Sequence, residues 1–178
     1  VLASLAAGCG EDEEGGAFVV SSEPVADTGP PPMETVEELA DPVAQTRAAI
    51  LAAAQAGDYE ALGDLIQPEV FLSDAGFGVD PIPGWRDQGT LPLETMEALL
   101  NMLSTTEETN EGKLYQWPRF TADSSPDEMQ PIERDALAAL LGEDGLRNAF
   151  QEEIGYVGPR LGILGDGTWW FLILESAP

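Results

Sequence analysis

Residues 156–175 read "YVGPRLGILGDGTWWFLILE", and this stretch decides the fold class. Gly165-Asp166-Gly167 supplies the positive-φ turn of a β-hairpin. The run after it is rich in aromatic and aliphatic residues, as strands are. Trp169, Phe171 and Ile173 alternate with Trp170, Leu172 and Leu174, so both faces are apolar. A strand of that kind belongs at the centre of a sheet, covered on both sides. Upstream, "KLYQWPRF" (residues 113–120) reads as a second strand whose Pro118 marks an edge or a bend.

Helical signals fill the rest. In "DPVAQTRAAILAAAQAGDYEALGDLI" Asp41 reads as an N-cap and Pro42 as the first helical residue. Val43, the stem of Arg47, Ile50 and Ala54 form one stripe on an alanine-rich body. Gly57 ends that helix, and Asp58 caps a second one that turns Leu62, Leu65 and Ile66 inward. "LPLETMEALLNMLS" gives a third, with Met96, Leu99, Leu100 and Leu103 inward. "SPDEMQPIERDALAALLG" gives a fourth, stopped by Gly142, and "EDGLRNAFQEEIG" a short fifth. Between Gln67 and Gly89 the Gly, Pro and Asp density predicts a long loop, of the kind that tends to be functional. The expected fold is α+β: four or five helices packed on a small antiparallel sheet that ends in the C-terminal hairpin.

Composition excludes whole classes of function. The 178 residues include 33 acidic and 7 basic side chains and no histidine, for a formal charge of -26. Such a field repels nucleic acid and anionic lipid headgroups. An acidic, lysine-poor surface suits saline or calcium-rich surroundings, and a high-GC genome equally favours arginine over lysine. Without histidine there is no imidazole base, no Ser-His-Asp relay and no His-ligated zinc. One cysteine permits no internal disulfide and no CxxC site. No phosphate loop, GxSxG, dinucleotide fingerprint or basic stripe is present, and no cofactor or metal is expected.

The single cysteine, Cys9, ends the apolar run "VLASLAAG" and is followed by "GEDEEGG". Ala7, Gly8 and Cys9, with Leu5 and Ala6 before them, resemble the lipobox of bacterial lipoprotein signal peptides. The resemblance implies a diacylglyceryl group on the Cys9 thiol and cleavage before it. The chain starts without Met and without a basic n-region, so a front-trimmed fragment is expected. "SLA" at residues 4–6 can instead serve an ordinary signal peptidase, or the run is an apolar N-terminus with a chance cysteine. No apolar run approaches the roughly 20 residues of a spanning helix. The expected organisation is a signal remnant over 1–8, an anchored acidic Pro/Gly-rich tether over 9–40, and one domain over 41–178. As a coil, roughly 31 tether residues span on the order of 30 Å. "AFVV" (residues 17–20) is its one apolar segment, a stalk residue run or an added edge strand. The expected location is extracytoplasmic, on a bacterial membrane, with an envelope protein or a small molecule as partner.

Two further resemblances concern the domain. "AAILAAAQAGDYEALGDLI" is similar to the first helices of the SnoaL-like (nuclear transport factor 2-like) cone folds, which implies several strands around a pocket. Here more helices intervene and only three strands stand out. The order "GWRDQGTLP…MEALLNML…LYQWPRF…GDGTWWFLI" resembles exported bacterial proteins without an assigned activity, and implies no site.

Scarce arginines define the candidate ligand site. Arg86 follows Trp85, Arg119 follows "WP", and Arg160 precedes the hairpin; together they can hold a carboxylated ligand by bidentate bonds and stacking. Pairing with neighbouring acids is the plainer use. Trp85, Tyr115 and Trp117 can stack on a sugar, although strand aromatics serve cores first, which suits Trp117 and Trp169 and leaves Trp85 as the surface candidate. Asp74 and Asp80 are the pair to test for carboxylate-dependent hydrolysis of cell-wall glycan, against a plain role in turns. Residues 74–80 ("DAGFGVD") and the acids Asp123, Asp127 and Glu128 place carboxylates on loops without EF-hand spacing. The reading is a non-catalytic, membrane-anchored binding module. Its alternatives are that hydrolase or a SnoaL-like small-ligand binder or enzyme.

Overall fold

The alanine-rich run after Ala40 forms α1, Asp41–Ala56, with Pro42 in its first turn, where a missing N–H costs nothing. The cap falls one residue before the expected one, at Ala40. Gly57 ends α1 in the left-handed conformation, φ 69°. Asp58 then caps α2, Tyr59–Leu65, its Oδ1 accepting the N–H groups of Glu60 and Ala61 at 3.1 and 3.0 Å. The computed structural model describes residues 39–174 apart from Glu152. Cys9 and the apolar segment at 17–20 lie outside the described residues.

The stretch expected to be a long loop is largely ordered by tertiary contacts. It holds β1 (Leu72–Ser73), β2 (Gly76–Phe77) and the short helix α3 (Ile82–Asp87). Helix α4 is Leu91–Leu100. Strand β3, Thr105–Thr109, is joined by a tight turn to β4, Gly112–Trp117. The fourth and fifth expected helices form one kinked element, α5 (Pro131–Asn148), with Gly142 non-helical at φ 71°. After it the chain makes the small pair β5 (Phe150–Gln151) and β6 (Gly155–Tyr156) instead of extending the helix. The hairpin is β7 (Arg160–Leu164) and β8 (Trp169–Ile173).

The fold is α+β: among the described residues five helices accompany a six-stranded sheet in the order β2-β1-β8-β7-β4-β3. Every pairing is antiparallel except β1 with β8, which is parallel, so the sheet is mixed and not purely antiparallel. Strand β8 is central, as its two apolar faces require.

The faces of the sheet are covered differently. On one, Val43, Ile50 and Ala53 of α1 and Met96, Leu99 and Leu100 of α4 pack on Tyr115, Trp117, Leu161, Ile163, Trp169 and Leu172. Phe71 meets Trp85 and Trp169 edge-on within this core and the two indoles are tilted to each other, with ring centroids 5.1 to 6.2 Å apart. Arg47 donates from Nε to the Leu100 carbonyl at 3.0 Å, and Thr46 donates to Gly167 O at 2.6 Å. Those bonds tie α1 to the end of α4 and to the hairpin turn. Helix α5 covers a smaller cluster of Phe120, Leu137, Leu146, Ala149 and Tyr156.

The second face carries Leu114, Leu164 and Phe171, with Trp170 and Ile173 against them, and among the described residues no helical one joins that cluster. The sequence predicts cover on both sides of β8; among the described residues helices supply that cover on one side only, while Phe171 on the other is 8% exposed. A bulge explains how β8 feeds both clusters. Ile163 pairs with Trp169 and Gly162 with Phe171, which leaves Trp170 as an extra residue. The Trp169 indole N–H donates to Phe171 O at 3.1 Å across the bulge. Trp169 and Leu172 then face the helices, while Trp170, Phe171 and Ile173 face away.

Candidate ligand-binding groove

Strand register sets the composition of the helix-free face. Leu72 pairs with Phe77 and with Phe171, Phe171 with Gly162, and Gly162 with Gln116. Residues opposite one another in a ladder share a face, so these side chains form one row across five strands. Gly162 is required there: a Cβ would lie 2.4 Å from the Phe171 ring, which rests on the bare backbone of β7. Arg160 pairs with Ile173 and stands beside this row.

Two shallow cavities meet on this face. One of about 270 Å³ is lined by Leu72, Phe77, Trp170, Phe171 and Ile173 together with Gln116 and Arg160. The other, of about 390 Å³, shares Gln116 and Arg160 and runs on past Glu107, Thr121 and Tyr156. Phe77 is 65% exposed and Leu72 39%, so the apolar end is accessible. Gln116 donates from Nε2 to Phe120 O at 2.7 Å, which fixes its amide at the junction. Arg160 is half-buried. Tyr156 donates its hydroxyl to Pro159 O at 2.9 Å, and burial pushes that phenol well above its usual range, only partly offset by the Arg160 charge.

The other candidate residues stand apart. Trp85 is 2% exposed and lies in the core, so its ring is not on the surface its Gly/Pro-rich surroundings suggested. Arg86, its neighbour, is exposed and sits over the Tyr59 ring at 5.9 Å. Burial raises the Tyr59 phenol, and the Arg86 charge acts against that. Tyr115 is 4% exposed, faces the helices, and has Lys113 over its ring at 5.1 Å. Trp117 and Trp169 are core residues. Arg119 holds Glu133 through Nε at 2.6 Å and a terminal nitrogen at 3.0 Å, and donates to Glu128 O at 2.7 Å. Of the three arginines only Arg160 lines either cavity of the groove.

The loop acids serve the backbone. Asp74 accepts the Leu174 N–H at 2.8 Å, a long-range tie to the end of β8, and Asp80 accepts the Ile82 N–H at 3.0 Å, the local turn role open to aspartate. Asp123 and Glu153 line a further hollow of about 470 Å³, and both are exposed. The buried carboxylate among the described residues, Glu133, is committed to Arg119 and to the Gln130 N–H. Among the described residues no group of three His, Cys, Asp or Glu side chains is placed to hold a metal, and no helix is long and apolar enough to cross a membrane.

Leu72, Phe77 and Gln116 escape sequence reasoning because only strand order makes them neighbours of Arg160. The signal that does exist is the scarcity of cations, which singles out Arg160. No protein-family model matches this chain, and neither a curated protein nor a solved structure matches it.

Proposed function

We propose that this chain is a non-catalytic binding domain, held at the outer side of a bacterial membrane by a lipid on Cys9, that captures its ligand on the helix-free sheet face. One observation carries the binding reading: an apolar row with an arginine beside it lies on a face that no described helix packs against. Leu72 and Phe77 leave the end of that row accessible, while Phe171 at its middle is 8% exposed, so the opening is a short apolar strip beside Arg160. The lipobox-like run ending in Cys9 and the acidic segment after it support the anchoring. The absence of histidine and the commitment of Glu133, Asp74 and Asp80 to structural bonds weigh toward binding and away from acid–base chemistry.

A SnoaL-like ligand binder is the second reading, favoured by α1 and α2 preceding a sheet of six strands. In that reading the ligand sits among the strands and helices, yet Phe71, Trp85, Trp117 and Trp169 fill the layer between them here.

The neutral dye Nile red tests the face. It should bind the folded chain with enhanced emission, and Phe77→Ser should weaken that binding several-fold without lowering stability. An indifferent Phe77→Ser variant refutes the face as the site. Intact-mass spectrometry tests the anchor: cleavage before Cys9 with added acyl chains, lost in Cys9→Ser, is the expected result. An unmodified thiol removes the anchor.

A further inference from the structure

A half-buried guanidinium in so acidic a chain would ordinarily find a carboxylate. Arg119 takes Glu133, Arg147 takes Asp144, and Arg47 takes the Leu100 carbonyl. Arg160 makes no ion pair among the described residues. Glu107, on the same face two strands away, lines the larger cavity with Arg160 but stays beyond ion-pair reach. Taking a charge partly out of water without a partner is costly. A ligand that supplies the anion recovers that cost.

We propose that Arg160 anchors a small amphipathic monocarboxylate, whose apolar body lies along Trp170, Phe171 and Ile173 toward Leu72 and Phe77. This rests on the reading of the helix-free face as the binding surface and names the chemistry it selects. The guanidinium fork matches a carboxylate bidentately. Gln116 has one amide N–H committed to Phe120 O, and its second N–H has no partner among the described residues and can meet a ligand oxygen at the same junction. The ligand carries one charge because the site has one cation. A second negative charge, as on phosphate, would face Glu107 and the field of a chain at -26. The body runs toward the smaller cavity because its remaining lining is entirely apolar, whereas the larger one passes Glu107 and Thr121. A volume of about 270 Å³ equals that of about nine waters at roughly 30 Å³ each, room for a body of on the order of ten heavy atoms.

The test uses the full chain with octanoate, octanamide, acetate and inorganic phosphate as probes. Binding is read by calorimetry and by emission of Trp170, the one tryptophan that lines the groove. Octanoate should bind at least about tenfold tighter than octanamide, with acetate and phosphate weaker still. Arg160→Gln should reduce octanoate to the octanamide level without lowering the thermal midpoint, and Arg160→Lys should fall between with the midpoint unchanged. Equal affinity for octanoate and octanamide, insensitive to Arg160→Gln, overturns the anchor. If Nile red still binds in a Phe77-dependent way, the face survives that result; if no probe binds, both readings fall.

Discussion

Replacing Trp85 by alanine separates a core side chain from a surface one. Its ring is 2% exposed and lies 6.2 Å from Phe71 and 5.9 Å from Trp169, centroid to centroid. Truncating a buried Trp costs about 3–5 kcal/mol, and the short helix α3 that carries it can settle inward to fill part of the void, which places the expected loss near 3.5 kcal/mol. With an unfolding entropy of about 2.1 cal/mol/K per residue over roughly 140 residues, that loss lowers the thermal midpoint by about 12 °C. Arg86→Ala, one residue along and exposed, removes only the contact over Tyr59 and should cost less than about 1 kcal/mol. Urea unfolding followed by far-ultraviolet circular dichroism measures both variants against the parent at constant slope. A Trp85→Ala loss below about 1 kcal/mol, or one smaller than that of Arg86→Ala, refutes the aromatic core.

Two other outcomes follow from buried polar groups. Glu133→Ala removes one carboxylate partner of Arg119 and the acceptor of the Gln130 N–H; because Arg119 is 29% exposed and can rehydrate, the loss should be about 2–3 kcal/mol by urea midpoint. The double variant Arg119→Met with Glu133→Leu should recover more than half of it. Burial holds the Tyr156 phenol above its ordinary value of 10, so the native state keeps a proton that the unfolded chain releases. Its contribution is whole below pH 10 and declines as pH rises above that, by up to about 1.4 kcal/mol per unit. Tyr156→Phe should flatten this alkaline decline in unfolding midpoints, at a fixed cost from the lost bond to Pro159. An unchanged decline shows that another group causes it.

What could be read in the sequence was local. Asp58 and Gly57 announce the end of one helix and the start of the next within a few residues. The turn at Gly165-Asp166-Gly167 and the apolar run after it fix the hairpin and the central place of β8. Strand β3 was illegible: "TTEET" has the composition of a loop and becomes a strand only by pairing with β4. The segment of Phe71 and Trp85 read as a loop for the same reason, since β1 is ordered by β8, about a hundred residues further on. The site divides in the same way. Arg160 could be chosen from composition, but its apolar neighbours depend on a parallel pairing that no local pattern encodes. Tyr115 and Trp85 were misplaced because aromatic character says that a ring seeks cover, not which side of the sheet provides it.

Trp170 is the residue that the β7–β8 ladder does not count. Omit it, and Trp169-Phe171-Leu172-Ile173 is an uninterrupted alternation, each side chain already on the face it occupies. The strand thus contains a one-residue insertion that pairing has absorbed. Gain or loss of a codon at this point would leave the helix-side core as it is and alter only the groove. The same event elsewhere in β8 would exchange the two faces wholesale. At this position a change of length alters the lining beside Arg160 and leaves the helix-side core in register.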